Sequence, residues 1–469
     1  MISSHRFDPT VLREYDIRGT VDKNLSRADA YAVGRAFGAM VARRGGTRVA
    51  VGYDGRVSSP GFATAVSEGL SAGGLHVIQV GMGPTPMLYY SVHELDAGGG
   101  IMITGSHNPP DQNGFKMMLG PKLAGGGAFF GKDIQELGRI AAAGEFTTGK
   151  GAVARQPMLD KYVDRLAQEY GAGGGKTLNA VWDAGNGAAG EAMVRITRRL
   201  PGNHILLFEK IDGTFPNHHP DPTVAKNLVD LQAAVRASKS DFGVAFDGDG
   251  DRIGVVDGEG EILWADQLMV LFARELLSRR PGETIIADVK ASQVLFDEVA
   301  KAGGKPLMYK TGHSLIKAKM KETKAPFAGE MSGHLFFADG YYGFDDGLYA
   351  AVRLLRILSH SKDSLADLRK GLPPAVNTPE MRFECDEARK WAVIDEVRAR
   401  LKNAGADLND LDGVRVKTSD GWWLLRASNT QAVLVARCEG SDTPALARLK
   451  AALAAQLKAS GVALPADLF

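Results

Sequence analysis

Residues 104–110 read Thr-Gly-Ser-His-Asn-Pro-Pro and place a serine hydroxyl between a glycine and a histidine. The apolar residues 100–103 before them predict a short buried strand that delivers this loop. Two successive prolines prevent a helix from starting directly afterwards, so Ser106 must lie on an irregular turn. The pattern is not the serine-hydrolase elbow, because Thr104 and Asn108 stand where that motif needs glycines. On this stretch alone, an ordinary turn is an equal alternative to a reactive hydroxyl.

Residues 247–252 read Asp-Gly-Asp-Gly-Asp-Arg and lie between two apolar runs that predict strands. Three carboxylates at alternate positions of a glycine-rich loop can converge on one hard cation, which prefers oxygen ligands. An EF-hand is excluded, since Arg252 and Gly258 stand where that loop needs glycine and glutamate. A solvated turn would crowd three like charges together without a counter-charge. The stretch therefore predicts a site for one divalent cation, with room for a further oxygen ligand such as phosphate.

Three further loops combine charged groups with hydroxyls or amides. Residues 310–314 (Lys-Thr-Gly-His-Ser) follow a predicted strand and precede a predicted helix, a placement that suits an anion. In residues 329–334 (Gly-Glu-Met-Ser-Gly-His) the polar side chains alternate, and they would share one side if the stretch is extended. Such a side could bind sugar hydroxyls beside a titratable imidazole. Residues 426–430 (Arg-Ala-Ser-Asn-Thr) can hold a phosphate by charge-assisted hydrogen bonds. Polar turns at the surface are the alternative for both of the last two loops.

Composition limits the function classes. A chain of 469 residues with 44% hydrophobic and 24% charged residues is typical of a globular protein with several domains. The net charge of +1 provides no field for nucleic acid or an acidic membrane, and neither is expected as a partner. Cys385 and Cys438 lack metal-ligand spacing, so no structural disulfide is expected. No apolar run reaches membrane-spanning length and the first residues lack an apolar signal, so a cytoplasmic location is expected.

A strand–helix–strand pattern occurs three times, at residues 48–80, 178–208 and 283–309. The repeats predict three similar mixed α/β domains with parallel strand pairs. After Pro373-Pro374 the pattern changes to an α+β domain with an antiparallel sheet. The functional residues are expected at the carboxyl ends of the parallel strands, around a central cleft. The predicted domains comprise residues 1–155, 156–259, 260–372 and 373–469.

The serine motif and the aspartate motif, in this order, resemble those of the alpha-D-phosphohexomutase superfamily, and of its bacterial phosphomannomutase/phosphoglucomutase branch in particular. The resemblance spans the whole chain, with five motifs in family order. It implies an isomerase that reversibly converts mannose and glucose 1-phosphates into the 6-phosphates. The implied route passes through phosphoserine and a bound hexose 1,6-bisphosphate, which acts as intermediate and activator.

The resemblance also implies site residues. The implied catalytic residues are Ser106, His107, Arg18, Lys116, Arg252 and His334. Arg56 is a further candidate for stabilising the charge of the moving phosphoryl group. The implied substrate-binding residues are Tyr15, Lys310, Thr311, Gly312, His313, Glu330, Ser332, Arg426, Ser428, Asn429 and Thr430. One Mg²⁺ is expected on Ser106, Asp247, Asp249 and Asp251. Asp345 and Asp346, in another family-like stretch, are interpreted as structural.

Three alternatives stay open at this point. Phosphoglucosamine mutase is the nearest, although Met331 and Thr104-Gly105 favour the mannose and glucose enzymes. A metal-dependent serine phosphatase shares the nucleophile and the cation but has little use for a distant phosphate clamp. A non-catalytic sugar-phosphate binder would not need the aspartate triplet. His334, Lys116 and Arg18 are equal candidates for proton transfer. Sugar phosphates are the expected small-molecule partners, and the expected assembly is a monomer or weak homodimer.

Overall fold

The computed structural model describes residues 3–171, 175–429 and 431–464. Over these residues the chain forms four sheets in sequence order. The first three are mixed sheets with parallel strand pairs, and the fourth is antiparallel. The predicted fold class, three mixed α/β domains followed by an α+β domain, is confirmed.

The first domain is a mixed sheet with its helices. Its strands are β1 (Ile17–Thr20), β2 (Arg48–Tyr53), β3 (His76–Met82), β4 (Gly99–Ile103), β5 (Gln112–Leu119), β6 (Gly127–Ala128) and β7 (Val153–Arg155). Its helices are α1 (Arg27–Arg43), α2 (Ser59–Ala72), α3 (Thr85–Glu94) and α4 (Lys132–Ala143). The strand order is β1-β5-β4-β2-β3-β7, with β6 paired to β5. A capping box between Ser26 and Asp29 starts α1.

The second domain repeats the parallel core on a smaller scale. Its elements are α5 (Leu159–Tyr170), β8 (Ala180–Asp183), α6 (Gly190–Thr197), β9 (His204–Leu207), α7 (Val229–Ser238), β10 (Phe242–Phe246), β11 (Ile253–Asp257) and β12 (Ile262–Leu263). The strand order is β12-β11-β10-β8-β9. Strand β8 pairs in parallel with β9 and β10, whereas β11 runs antiparallel to β10. The hairpin between β10 and β11 therefore carries the aspartate motif.

The third domain has a short mixed sheet and long helices. Its elements are α8 (Ala265–Arg279), β13 (Thr284–Asp288), α9 (Gln293–Lys301), β14 (Lys305–Tyr309), α10 (His313–Thr323), β15 (Phe327–Gly329), β16 (Leu335–Phe337), α11 (Gly347–His360) and α12 (Leu365–Lys370). The strand order is β14-β13-β15-β16. The parallel strands β14 and β15 end at the loops that contain residues 310–312 and 330–334.

The C-terminal domain is an antiparallel sheet with two long helices among its described residues. Its elements are β17 (Val376–Asn377), β18 (Met381–Glu384), α13 (Lys390–Asn403), β19 (Leu408–Asn409), β20 (Val414–Thr418), β21 (Gly421–Ala427), β22 (Val433–Gly440) and α14 (Thr443–Ala459). The strand order is β17-β22-β21-β20-β19, with β18 paired to β22. Arg426 and Ala427 end β21, and Ser428 and Asn429 begin its connection to β22.

The three predicted repeats correspond to β2-α2-β3, β8-α6-β9 and β13-α9-β14, and each forms a parallel pair. The predicted domain borders stay proposals. Strand β12 pairs with β11 of the second sheet, so that sheet extends to Leu263, beyond the border predicted at residue 259. No helix among the described residues is long and apolar enough to cross a membrane.

The hydrophobic cores show which domains are joined most closely. One cluster of buried side chains runs through the first three domains and includes Tyr89, Trp182 and Leu348. The C-terminal domain has its own cluster, which includes Trp423 and Leu453. The first three domains thus share a large apolar cluster, whereas a much smaller one, in which Val289 packs against Trp422 and Leu424, joins the fourth domain to the third.

Candidate active site

Strand β4 delivers the serine loop (residues 104–108) to the centre of the molecule. Ser106 is 4% exposed and adopts a positive φ of 49°, a strained conformation for a residue with a side chain. Its backbone N–H donates to the Thr104 hydroxyl at 2.8 Å. Its own hydroxyl donates to Asp247 Oδ2 at 2.9 Å and lies 3.1 Å from His107 Nδ1. The loop therefore presents the hydroxyl directly to the aspartate motif.

The aspartate loop (residues 247–251) gathers three buried carboxylates. Oxygen atoms of Asp247, Asp249 and Asp251 all lie within 4.8 Å of one another, a spacing at which they could hold one cation. Asp249 Oδ1 has no hydrogen-bond partner within the described part of the chain, whereas Asp251 Oδ1 lies 3.3 Å from His334 Nε2. Buried carboxylate oxygens without donors are costly, and a divalent cation would remove that cost.

Lys116 supplies the cation that the structure places nearest to these carboxylates. Its Nζ lies 2.8 Å from Asp249 Oδ2 and 2.5 Å from Asp251 Oδ2. Burial alone would lower the pKa of Lys116, but the two carboxylates raise it well above its usual value. Burial and the neighbouring carboxylates together raise the pKa of Asp247 well above its usual value. A single lysine therefore does not balance the triplet.

Arg18 reaches the same place because β1 pairs antiparallel with β5. The register sets Arg18 opposite Gly114, two residues before Lys116 on β5. Arg18 is 4% exposed and forms an ion pair with Asp16. Among the described residues, nothing accepts a hydrogen bond from its Nη1. A buried guanidinium with an unused donor is suited to an anionic ligand.

The imidazole turn (residues 330–334) connects β15 to β16 and is not extended. The Glu330 N–H donates to the His334 carbonyl at 2.9 Å, which closes a tight reverse turn. The extended conformation considered from the sequence does not occur, because this antiparallel pair is joined by so few residues. The polar side chains nevertheless converge, since His334 Nδ1 lies 3.0 Å from Ser332 Oγ and 3.2 Å from Glu330 Oε2.

His334 joins this turn to the aspartate loop. Its Nε2 lies 3.3 Å from Asp251 Oδ1 and 3.2 Å from Arg252 Nε. An isolated backbone bridge also pairs Arg252 with His334. Burial would lower the pKa of His334, but Asp251 raises it to about 9. His107 differs, because burial and the Arg252 cation lower its pKa well below the usual value.

Asp345 and Asp346 have separate environments. Asp346 accepts hydrogen bonds from Tyr162, Tyr341 and the N–H of Tyr349, at the start of α11. That contact set is structural, as expected. Asp345 instead pairs with Lys317 at 2.8 Å and approaches His313 Nδ1 at 3.3 Å and His334 Nε2 at 3.9 Å. The interpretation of Asp345 as purely structural is therefore corrected, because its carboxylate faces the site.

Residues 310–313 form the next wall of the site. Lys310 is exposed, whereas Gly312 is buried and donates its N–H to Glu330 Oε1 at 2.6 Å. The Thr311 N–H donates to Asp412 Oδ2 at 2.9 Å. The His313 ring stacks on the His334 ring with centroids 5.4 Å apart. The loop therefore meets both the imidazole turn and the C-terminal domain.

The clamp loop (residues 426–429) of the C-terminal domain completes the enclosure. Arg426 is 5% exposed and bonds Asp412 through Nε at 3.1 Å, while nothing described accepts from its Nη2. The Tyr15 hydroxyl donates to the Thr311 carbonyl at 2.9 Å and accepts from Asn429 Nδ2 at 2.5 Å. Tyr15 thus bridges three domains.

Ser428 of the clamp loop is held by contacts within the C-terminal domain. The Ser428 hydroxyl accepts from the Gln431 N–H at 3.2 Å. Its carbonyl accepts from Lys390 Nζ at 2.6 Å. The predicted ligand Thr430 lies outside the described residues. The clamp loop is therefore held from within its own domain as well as by Tyr15.

From the sequence, Arg56 is among the candidates that face the site, but in the structure its side chain points away from it. Its guanidinium donates to four backbone carbonyls behind the serine loop, those of Ser106, Asn108, Pro109 and Gln112. A role in stabilising the charge of a moving phosphoryl group is therefore corrected, because these carbonyls already accept from both of its terminal nitrogens.

Sequence reasoning missed several buried groups that touch the site. Thr85 donates its hydroxyl to Asp249 Oδ2 at 2.5 Å and its N–H to the Asp249 carbonyl at 2.8 Å. Asp288 accepts from Thr311 Oγ1 and Met331 N, and burial raises its pKa to about 6. Both residues lie at the carboxyl end of a parallel strand, a signal that could have identified them. Asp412 follows no such strand, and no sequence signal marks it.

Comparison with known proteins covers nearly the whole chain. Four family models match successive parts of it, all described as Phosphoglucomutase/phosphomannomutase. They are alpha/beta/alpha domain I at residues 9–147, domain II at 160–260, domain III at 264–376 and the C-terminal domain at 380–456.

Individual relatives match at full length. A Pseudomonas aeruginosa protein named Phosphomannomutase/phosphoglucomutase is 43% identical over 457 residues, which is 97% of each chain. A Neisseria meningitidis serogroup A protein named Phosphoglucomutase is 43% identical over 444 residues, covering 94% of this chain and 95% of the relative. A crystal structure of a Phosphoglucomutase/phosphomannomutase family protein from Burkholderia thailandensis has a TM-score of 0.90 and 45% identity. That match covers 98% of this chain and 100% of the other.

Proposed function

This chain belongs to the phosphoglucomutase/phosphomannomutase family, and we propose that it reversibly converts mannose and glucose 1-phosphates into the 6-phosphates. The observation that carries the proposal is the buried Ser106 hydroxyl, 2.9 Å from Asp247 in a triplet of carboxylates. A serine hydroxyl beside a cation site can carry a phosphoryl group between two positions of a sugar. A relative named Phosphomannomutase/phosphoglucomutase supports activity on both sugars, and one named Phosphoglucomutase supports activity on glucose.

The residues present fit one divalent cation, which we propose to be Mg²⁺. Asp247, Asp249 and Asp251 would hold it, with an oxygen on Ser106 as a further ligand. Asp249 Oδ1, which has no hydrogen-bond partner among the described residues, supports this assignment. Bound there, Mg²⁺ would offset the charge of a phosphoserine and make its seryl oxygen a better leaving group.

The formal charges around Ser106 support a dianionic group at this position. The three aspartates are matched in number by the cations Arg18, Lys116 and Arg252. A divalent cation would leave this group of residues positive by two, and a phosphoserine carries about −1.5 to −2 at neutral pH. Binding of the cation and the phosphoryl group together would therefore leave the formal charge balance of these residues nearly unchanged.

In the proposed first half-reaction, the phosphoryl group leaves Ser106 for the free hydroxyl of a hexose monophosphate. The P–O bond to serine breaks and a P–O bond to the sugar oxygen forms. The proton of the sugar hydroxyl passes to a base of the site and the seryl oxygen takes up a proton, which leaves free Ser106 and a hexose 1,6-bisphosphate. Arg18 has an unused donor to stabilise charge on the moving group. Lys116 and Arg252 supply positive charge beside it.

In the second half-reaction, the bisphosphate turns over and returns its other phosphoryl group to Ser106. Either phosphate must then fit the same distant site, for which we propose Arg426, Ser428, Asn429 and Thr430. The free Nη2 of Arg426 supports this assignment. We propose that Tyr15 and residues Lys310, Thr311, Gly312 and His313 hold the sugar phosphate between the clamp loop and the serine loop.

The sugar ring would lie against the imidazole turn. Glu330 and Ser332 would bind ring hydroxyls, and His334 lies between Asp251 and Glu330. A histidine with its pKa raised to about 9 holds a proton at neutral pH and can donate it to the sugar oxygen that leaves phosphorus in the second half-reaction. Lys116 and Arg18 are the other candidates for this transfer. His107, whose Nδ1 lies 3.1 Å from Ser106 Oγ, would position the phosphoserine.

Intact-mass measurement and a coupled assay test the proposal together. After incubation with glucose 1,6-bisphosphate, the protein should gain one phosphoryl group on Ser106 and convert mannose and glucose 1-phosphates. Ser106→Ala should lose the phosphoryl group and nearly all turnover. Release of inorganic phosphate would instead indicate a phosphatase, and preference for glucosamine 6-phosphate a phosphoglucosamine mutase. Binding without phosphorylation or turnover would indicate a sugar-phosphate binder.

We further propose a cytoplasmic location, a monomer or weak homodimer, and sugar phosphates rather than nucleic acid or membranes as partners. A net charge of +1 supports the absence of nucleic-acid partners. Gel filtration with light scattering would measure the assembly.

A further inference from the structure

Arg56 lies behind the serine loop and is 1% exposed. Its Nη1 donates to the carbonyls of Pro109 and Gln112, at 2.5 and 2.9 Å. Its Nη2 donates to the carbonyls of Ser106 and Asn108, at 2.8 and 2.6 Å. One guanidinium therefore binds four carbonyls of the segment that carries the reactive serine.

We propose that Arg56 is a positioning residue for phosphoryl transfer, which holds the serine loop in its reactive shape without touching the sugar or the moving group. This inference rests on the proposed function, since it concerns the same serine. According to this proposal, Arg56 increases the rate of the chemical step and does not contribute to substrate affinity.

The backbone at Ser106 needs such a restraint. A positive φ of 49° is sparsely populated by residues other than glycine, so surrounding contacts must hold it. Thr104 bonds the N–H of Ser106, and Arg56 bonds its carbonyl. Gly248 also lies close to that carbonyl, since an added Cβ there would come within 2.1 Å of the Ser106 oxygen. The peptide after Ser106 is thus in contact with both Arg56 and the aspartate loop.

Arg56 is itself held from two sides. Asp54 accepts the N–H of Arg56 through Oδ1 and the N–H of Gly105 through Oδ2, both at 3.0 Å. A Cβ at Gly105 would lie 2.1 Å from Arg56 Nε, so only glycine allows the guanidinium this close. Phe215 of the second domain places its ring 5.2 Å from the guanidinium carbon. The restraint therefore spans two domains.

The chemistry of the side chain explains why arginine stands here. A guanidinium is planar and presents its donors in a rigid fork, so it can serve four carbonyls that lie around its edge. A lysine has a single nitrogen with three donors and cannot reach the same set. Some of the buried carbonyls would then lose their donors, and the loop would relax around Ser106.

Arg56→Lys tests the proposal, with Arg35→Lys as the matched control. Arg35 is 2% exposed, bonds the Thr147 carbonyl at 2.9 Å and lies near Phe146 in the same domain. We expect Arg56→Lys to lower kcat by roughly tenfold to a hundredfold, because small displacements of a reacting group have effects of that size. KM for glucose 1-phosphate should stay within about twofold, since ground-state binding is unchanged. Arg35→Lys should keep both constants.

A third measurement separates the possible outcomes. The rate at which glucose 1,6-bisphosphate phosphorylates Ser106, followed by intact mass, should fall in Arg56→Lys and not in Arg35→Lys. Unchanged kcat in folded Arg56→Lys, a raised KM with unchanged kcat, or an equal loss in both variants would overturn the inference. Phe215→Leu keeps all four hydrogen bonds but removes the ring, and should lower kcat by roughly threefold with KM unchanged.

If Arg56→Lys does not fold, the Phe215→Leu result decides, and unchanged kcat there would overturn the inference. Absence of mutase turnover in the unsubstituted protein would instead contradict the proposed function, so the two failures are distinguishable.

Discussion

At the scale of single residues, the site is a group of buried charged side chains whose hydrogen-bonding capacity is only partly used by contacts within the group. Lys116 bonds two of the three aspartates, and Thr85 bonds one of them. Asp249 Oδ1 lacks a donor among the described residues, and Asp251 Oδ1 lies 3.3 Å from His334 Nε2. The unsatisfied oxygen of Asp249 indicates a cation more specifically than the number of acidic residues does, because exposed acidic groups are solvated and need no partner.

Asp249→Asn should weaken metal binding while the protein stays folded. The amide keeps an oxygen ligand but removes one negative charge from the triplet. We expect the Mg²⁺ concentration for half-maximal activity to rise by roughly tenfold or more, because affinity for a hard cation depends on ligand charge. A Mg²⁺ titration of turnover measures the shift.

The matched control for this experiment is Asp257→Asn. Asp257 is fully buried and accepts from two backbone N–H groups and Arg369, away from the triplet. It should lower thermal stability and leave the Mg²⁺ dependence unchanged. An unshifted titration in Asp249→Asn would count against the metal assignment.

At the scale of secondary-structure elements, the loop between β14 and α10 depends on one glycine. Gly312 has a φ of 139°, and a Cβ there would lie 2.6 Å from the Tyr15 ring. Gly312→Ala should displace Tyr15 and its contact with Asn429. We expect KM for glucose 1-phosphate to rise by roughly tenfold, equivalent to about 1.4 kcal/mol of lost binding.

Gly303→Ala is the control for backbone strain alone. Gly303 has a φ of 80°, and a Cβ there would meet nothing within 4 Å. It should cost about 1 kcal/mol of stability and leave KM unchanged. Equal KM values in the two variants would contradict the role of the Gly312–Tyr15 contact.

The start of α11 introduces a dependence of stability on pH. Burial raises the pKa of Asp346 from 3.8 to about 7, and its three hydrogen-bond donors offset this only in part. Between these values the folded protein keeps a proton that the unfolded chain loses. The stabilisation is thus full below about pH 4 and is lost as pH rises to 7, on the order of 4 kcal/mol in total.

Asp346→Asn tests this dependence, because an amide still accepts from the Tyr349 N–H but does not titrate in this range. The melting temperature of the unsubstituted protein should fall more between pH 5 and pH 8 than that of the variant. Parallel pH profiles for the two proteins would show that Asp346 is charged in the folded state at pH 5.

At the scale of the whole molecule, the site is assembled by four domains that are not equally joined. The first three share one large hydrophobic cluster, whereas the C-terminal domain has its own and packs on the third only through a small cluster of Val289, Trp422 and Leu424 among the described residues. Tyr15 connects the first domain to the third and fourth through a single hydroxyl. The fourth domain is therefore the one best able to move, and its movement would admit a sugar to a site whose residues are buried here.

Tyr15→Phe should favour an arrangement in which the C-terminal domain lies further from the other three. The variant loses both hydrogen bonds of the hydroxyl while keeping the ring. We expect KM for glucose 1-phosphate to rise by roughly threefold to tenfold, which corresponds to a loss of about 1 kcal/mol. Small-angle scattering with glucose 1,6-bisphosphate should show a larger radius of gyration than in the unsubstituted protein.

Tyr31→Phe is the control for Tyr15→Phe. The Tyr31 hydroxyl lies 3.5 Å from Arg35 within the first domain. Its loss should change neither the radius of gyration nor KM. A Tyr15→Phe protein as compact as the unsubstituted one would contradict the bridging role.

Much of the fold could be predicted from the sequence because patterns of neighbouring residues determine its strands, helices and turns. Alternating apolar runs and glycine turns indicated the three parallel repeats and the C-terminal meander, and the family matches confirm the resemblance drawn from the serine and aspartate motifs. Loops at the carboxyl ends of parallel strands meet at one edge of a sheet, so the convergence of the motifs also followed from their order.

Other features were decided only by the tertiary structure. The Arg56 side chain donates to backbone carbonyls, the Asp345 carboxylate faces the site, and the imidazole turn is a tight reverse turn and not an extended segment. Thr85, Asp288 and Asp412 became neighbours of the site through packing between segments far apart in the chain. The physical reason is that the type of a side chain sets which bonds it can make, whereas only the packed fold determines which partners lie within reach of it.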